Sequence, residues 1–164
     1  MVITIEEDSK RFNACVRTLI FNEDMTKILM QRQGKHDFYM FPGGRLDFNE
    51  DIQTAIKREL IEELGITSQL TLKYFLEAFL TFPNKTRYHE LGFYFITKIS
   101  ETKTGYLDNK EYDSLDEIHD GKSKFKWIKL NEIDNYKFLM ENFKKIIKKG
   151  IEFNDKVEHL IFKD

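Results

Sequence analysis

The sequence holds one cysteine, two prolines and one tryptophan in 164 residues. A single thiol excludes an intrachain disulfide, and Cys15 sits in an apolar run where a buried, inert thiol is expected. No segment approaches the roughly 20 consecutive apolar residues of a membrane-spanning helix. The formal net charge of −2 supplies no global basic field, so neither nucleic acid nor a membrane surface is expected as a partner. The first 30 residues carry Glu6, Glu7 and Asp8 and no signal-peptide pattern, which makes a cytoplasmic, reducing compartment the expectation. Repeats and low-complexity linkers are also lacking, so residues 1–164 read as a single domain. What is present is a large apolar supply. Hydrophobic residues make up 41%, including fifteen Phe and seven Tyr, and a charged fraction of 33% keeps such a chain in solution.

Periodicity divides the chain into elements. Residues 12–21 and 27–32 read as two strands of a hairpin around the turn 22–26, where Asn, Glu and Asp cluster. A short aromatic strand is predicted at 38–41, and Pro42-Gly43-Gly44 is expected to stop regular structure. Ile52, Ala55, Ile56, Leu60 and Leu64 follow helical spacing, with acids at the start and Gly65 as a C-cap, so a helix is predicted over 51–64. Strands follow at 70–82, 88–99 and 124–130. Between the last two lies a long polar connection, 100–123. A helix is predicted over 136–149, with Leu139, Phe143, Ile146 and Ile147 on one face, and a last strand at 159–162. This order specifies an α/β (α+β) chain: a mixed β-sheet between helices, one on each face.

The chemistry concentrates between Gly44 and Ile66. Glu59, Glu62 and Glu63 are related as i, i+3 and i+4 and share a helix face. Glu59 and Glu63 each stand seven residues after an apolar stripe position, Ile52 and Ile56, so they fall where the buried stripe would continue. Buried carboxylates so close repel one another and take up protons unless something positive meets them. Arg58 is the one adjacent cation. A divalent metal would resolve the conflict, and an all-oxygen ligand set favours a hard ion such as magnesium or manganese. A solvated acidic helix end is the alternative reading of such a cluster. Gly43 and Gly44, just upstream, let backbone approach a metal or phosphate closely.

At these residues the chain resembles the Nudix hydrolases, a family defined by a 23-residue box. Gly44, Glu50, Arg58, Glu59, Leu60, Glu62, Glu63, Gly65 and Ile66 fill its fixed positions, and the resemblance extends more loosely over residues 11–150. It implies a MutT-like α/β/α sandwich with a mixed sheet between helices. It also implies a magnesium-dependent (or manganese-dependent) pyrophosphohydrolase that cleaves a phosphoanhydride bond in a nucleoside diphosphate linked to another group. Nucleoside triphosphates, ADP-ribose and related compounds all fit that description. A catalytically silent Nudix-fold module that binds or senses nucleotides is the alternative. By the resemblance, Glu59, Glu62 and Glu63 ligate the metal, with the Gly44 carbonyl as a further ligand. Arg58 orients a carboxylate, and Glu50 is a structural support. The general base is one of these glutamates or lies outside the box. Glu90, which interrupts an apolar strand, is the preferred outside candidate, ahead of Glu111, Glu117 and His119 on the long connection.

Substrate contacts are expected from Gly43 and Gly44, from Arg32 and Lys35 at the hairpin end, and from Lys85 and Arg87 in the 83–87 loop. Phe38, Tyr39 and Phe41 would stack on a base or belong to the core, and His89 is expected to be structural. Exposed strand edges would allow a homodimer.

Overall fold

The computed structural model describes residues 1–34, 36–106, 110–116 and 123–164. The elements in chain order are β1 (Thr4–Glu7), β2 (Lys10–Asn22), β3 (Lys27–Gln33), β4 (Gly43–Arg45), α1 (Ile52–Leu64), β5 (Thr71–Thr81) and β6 (Arg87–Ile99). After these come β7 (Tyr112–Asp113), β8 (Ser123–Lys129), α2 (Asn142–Lys149) and β9 (Glu158–Lys163). Among the described residues the strands form one mixed sheet of order β7-β8-β3-β2-β6-β5-β9, with β1 and β4 also paired to β2. The β2–β6 pair is parallel over thirteen residues, from Lys10↔Arg87 to Asn22↔Ile99.

Alternation along β2 explains the two layers. Ala14, Val16 and Ile20 face α1, packing with Ala55, Ile56, Leu60 and Leu64. Leu19 and Phe21 face the other way and share a core with Phe143 and Ile147 of α2. The expected sandwich is therefore present, with Cys15 buried in it. The hairpin turn is held by the Asn22 side chain, which accepts from the amides of Thr26 and Lys27. At α1 the N-cap is Asp51, which accepts from the amides of Gln53 and Thr54. Gly65 closes the helix in the left-handed region, at φ 65°. The last strand also forms, parallel to β5.

Three expectations need correction. Residues 38–41 form only isolated bridges, Gln31↔Met40 and Tyr39↔Phe138, because each turns to a different neighbour. The Gly43-Gly44 stretch does not end regular structure but forms β4, antiparallel to β2 with Arg17↔Gly43 and Val16↔Gly44. It fits there because β2 and β3 pair only through Ile20↔Leu29 and Phe21↔Ile28. Beyond those pairs the two strands part, and residues 40–45 fill the fork. Finally, the closing helix begins at Asn142 rather than at 136. Residues 130–135 form 3-10 turns, and the segment after them runs along Tyr39, whose amide donates to the Lys137 carbonyl while Leu139 donates to the Tyr39 carbonyl. Those bridges override the helical spacing of Leu139. The connection 100–123 also contains a 3-10 turn and the short strand β7.

Candidate active site

The fork between β2 and β3 meets the last turns of α1. Gly43 lies in a backbone region that side chains disfavour, at φ +134°, and a Cβ there would strike the Val16 carbonyl. At Gly44 a Cβ would land on the Glu59 carboxylate. The two glycines are thus required for different reasons, and the second one seats an acid of the helix directly on the β4 backbone.

The box acids divide by orientation as the apolar stripe requires. Glu63 is 9% exposed and the Glu59 side chain 13%, whereas the Glu62 side chain is 46% exposed. Arg58 ties the set together. It forks onto Glu50 through Nε and Nη2, at 2.8 and 2.9 Å, and its Nη1 donates to Glu59 at 2.8 Å and to Glu62 at 3.2 Å. This guanidinium holds the Glu50 carboxyl below its usual range. Glu59 moves the other way: burial raises it, against the pull of Arg58. Glu63 is raised to about 8, first by burial and then by the charge of Glu59. Gln31 of β3 donates to Glu63 Oε1 at 2.7 Å. Glu63 Oε2, Gln31 Oε1 and Thr18 Oγ1, all buried on this face of the sheet, have no hydrogen-bond partner.

Those unmatched oxygens, with two inward carboxylates raised by burial, form an oxygen-donor set of the kind a hard cation takes. Among the described residues no three acidic or thiol/imidazole side chains already enclose a metal-sized point. The donor chemistry nonetheless fits a divalent ion with mixed carboxylate, backbone and water ligands better than it fits any arrangement of Arg58 alone.

Arg17 and Gln31 were not singled out from the sequence. Arg17 Nη1 donates to the Gly43 carbonyl at 2.8 Å and the Phe41 carbonyl at 3.2 Å, pinning the glycine segment in the fork. The available signal was a lone cation in the otherwise uncharged stretch Ala14–Phe21.

The remaining candidates scatter. Glu90 is 1% exposed, but it lies on the α2 face of the sheet, opposite the box acids. There it accepts from Tyr88 at 2.6 Å and Tyr94 at 3.0 Å. Its neighbour His89 stacks on Phe79 at 4.3 Å, as a structural residue would. Lys85 and Arg87 are not brought to the site. Arg87 pairs with Lys10 at the start of β2, seven strand positions and therefore about 23 Å from Arg17. Phe41 is buried, Tyr39 half-buried and Phe38 partly exposed. Arg32 is engaged by Glu111 (Nη2–Oε2 2.7 Å). Lys35, Glu117 and His119 lie outside the described residues.

Comparison with known proteins gives the same outline. The model of the NUDIX domain family matches residues 11–149. No curated protein matches the chain by sequence. Among solved structures, a mutator MutT protein of Bacillus halodurans aligns with a TM-score of 0.64 at 20% identity, covering 92% of this chain and 89% of its own. A MutT structure from work on Aliivibrio salmonicida and Vibrio cholerae aligns with a TM-score of 0.57 at 21% identity, covering 85% and 99%. The MutT protein of Methanosarcina mazei aligns at 0.52 and 19%, covering 84% and 91%. At these identities the likeness is one of fold. No helix among the described residues is long and apolar enough to cross a membrane.

Proposed function

The chain belongs to the NUDIX domain family, and from that premise we propose that it is a pyrophosphohydrolase acting through a divalent cation, magnesium or manganese, on a nucleoside diphosphate derivative. The observation that carries this reading is the buried pair Glu59 and Glu63, raised by burial and left with an unmatched oxygen beside two obligatory glycines.

Glu59, Glu62 and Glu63 would hold the cation, with backbone carbonyl support from the Gly43–Gly44 segment. When bound, the cation supplies an acidified water and neutralises charge on the leaving phosphate. The protein's own groups do the positioning. Arg58 holds Glu59 and Glu62 in place through Nη1, with Glu50 bracing the guanidinium from behind. Arg17 fixes the carbonyls that flank Pro42. Gln31 fixes one Glu63 oxygen and leaves the other free. Without a cation, Glu63 holds a proton at neutral pH, and charge arriving in the site releases it. The base that takes the proton of the attacking water is a box glutamate rather than Glu90, because both Glu90 oxygens already accept tyrosine hydroxyls on the opposite face. Water attacks phosphorus, the phosphoanhydride P–O bond breaks, and two phosphorylated products leave.

The test is a panel of diphosphate compounds incubated with magnesium or manganese: nucleoside triphosphates, ADP-ribose, nucleotide sugars and dinucleoside polyphosphates. Cleavage at the phosphoanhydride, abolished by chelator and by Glu62→Gln in a folded protein, is the expected result. A folded, metal-replete protein that cleaves none of them refutes the proposal.

A further inference from the structure

Exposed strand edges were expected to allow a homodimer, and the two ends of the sheet differ in how they meet that expectation. At one end β7 is two residues long. At the other, β9 runs for six residues in unbroken parallel register with β5, and among the described residues no strand pairs with its outer side. It has no proline, glycine or bulge, the features that commonly blunt an edge. Its centre is the apolar run Leu160-Ile161-Phe162, and Ile161 is 54% exposed.

The strand is also held firmly from within. Phe162 is buried in the α2 core. His159 Nε2 lies 2.8 Å from Glu77 Oε1, and its ring stacks on Phe75 at 5.2 Å. The buried Lys73 ammonium donates to Asn154 Oδ1 at 2.8 Å and lies 3.6 Å from Glu158, which fixes the approach to the strand. A partner therefore meets a preformed edge, and little ordering cost remains. Asp164 donates its amide to the Phe79 carbonyl at 3.2 Å. By the alternation of the ladder, even-numbered residues turn their backbone groups to β5, and His159, Ile161 and Lys163 turn theirs outward.

An extended strand satisfies such a row, and β9 complements itself in one register. Antiparallel pairing across a two-fold axis sets residues of the same face opposite one another, so the axis passes through a residue position. Two such axes keep five residues of β9 paired. Through Ile161, Glu158 would face the partner's Asp164 and His159 the partner's Lys163, which opposes two acids and sets the imidazole against a cation. Through Leu160, Lys156 faces the partner's Asp164, His159 faces the partner's Ile161, and Leu160 meets its own copy at a close, non-hydrogen-bonded position. We propose that β9 is a homodimer interface, in which two copies pair antiparallel with the axis at Leu160 and extend the sheet across both molecules. A contact of this length falls at the small end of specific interfaces, below about 1,200 Å², so monomer and dimer exchange with concentration. β9 stands three strands from β2, and the pairing is independent of the chemistry proposed above.

The test is sedimentation of the full chain from roughly 1 to 500 µM, on wild type, Ile161→Lys, Lys156→Glu, and Lys156→Glu combined with Asp164→Lys, each with a melting curve. Wild type is expected to pass from monomer to dimer across the series. Ile161→Lys sets two cations diagonally across the axis at an exposed position, so dimerisation should weaken by at least about tenfold with Tm little changed. Lys156→Glu should weaken pairing severalfold, and the charge exchange in the double variant should restore it. A wild type that stays monomeric throughout overturns the proposal, as does a dimer that Ile161→Lys leaves intact, which then forms elsewhere. A double variant no better than Lys156→Glu overturns the register centred on Leu160. Should Ile161→Lys fail to fold, wild type is read by amide hydrogen exchange. The outward amides of His159, Ile161 and Lys163 should gain protection as concentration rises, and protection independent of concentration overturns the interface.

Discussion

Replacing Glu63 by Gln isolates the cost of burying an acid for a cation that is absent. In metal-free protein the folded state holds the Glu63 proton up to about pH 8, whereas the unfolded chain releases it near the ordinary glutamate value of about 4.3. Between those limits the folded state binds more protons than the unfolded one, so stability falls as pH rises. Below that window both states are protonated and the effect vanishes. From pH 5 to pH 8 the loss assignable to Glu63 is on the order of 3 kcal/mol, or roughly 6–12 °C in Tm for a chain of this size. Gln keeps the acceptor that Gln31 uses and removes the charge. Thermal melts of wild type and Glu63→Gln in chelator at pH 5, 6, 7 and 8 give the difference directly, with other titrating groups cancelling between the two. Wild type should fall behind the variant steadily across the series, and magnesium should restore wild type more than the variant. Parallel pH curves for the two proteins would refute the claim that this carboxylate is buried uncompensated.

The other predictions are read by standard assays. Gly43→Ala should destabilise the fold by several kcal/mol, since it combines backbone strain with a clash against the Val16 carbonyl, and a near-native Tm would contradict the fork geometry. Arg58→Lys keeps one charge but loses the three-way fork, so activity or metal affinity should drop by about 10–100-fold with Tm little changed. Asp51→Ala should cost about 1 kcal/mol through the lost N-cap, with kcat unchanged. Lys85→Ala and Arg87→Ala should leave KM for any cleaved diphosphate where it was, because both lie far along the sheet from Arg17.

Local patterns carried most of the architecture into the sequence. The 3.6-residue spacing of Ala55, Ile56, Leu60 and Leu64 announced α1, and its continuation through Glu59 and Glu63 announced two inward acids, as found. Gly65 and the Asn22 turn acted through their own backbone chemistry, which needs no tertiary context. What was not legible depended on partners distant in sequence. Residues 136–141 have helical spacing, but their backbone is taken by Tyr39, almost a hundred positions away, and nothing nearby reveals it. Gly43 and Gly44 read as a break because their strand partner, β2, is complete without them. Glu90 looked reachable because a charge in an apolar strand invites a functional reading. Its parity puts it on the α2 face, and two tyrosines from its own strand satisfy it. Arg17 was the same signal unread, a cation at an inward strand position, and its role emerged only once the fork placed the Gly43 carbonyl beside it.

The metal-holding role of the box acids is tested most directly by Glu62→Gln. Glu62 is the most exposed of the three box acids, so its loss should spare folding while removing a metal-holding charge. Manganese titration and turnover on a cleaved diphosphate compound, measured on wild type and variant with matching melting curves, should show weaker metal binding and at least about a hundredfold less activity in the variant. Equal metal affinity and equal turnover would mean that these acids are an ordinary charged helix end and that the chemistry lies elsewhere.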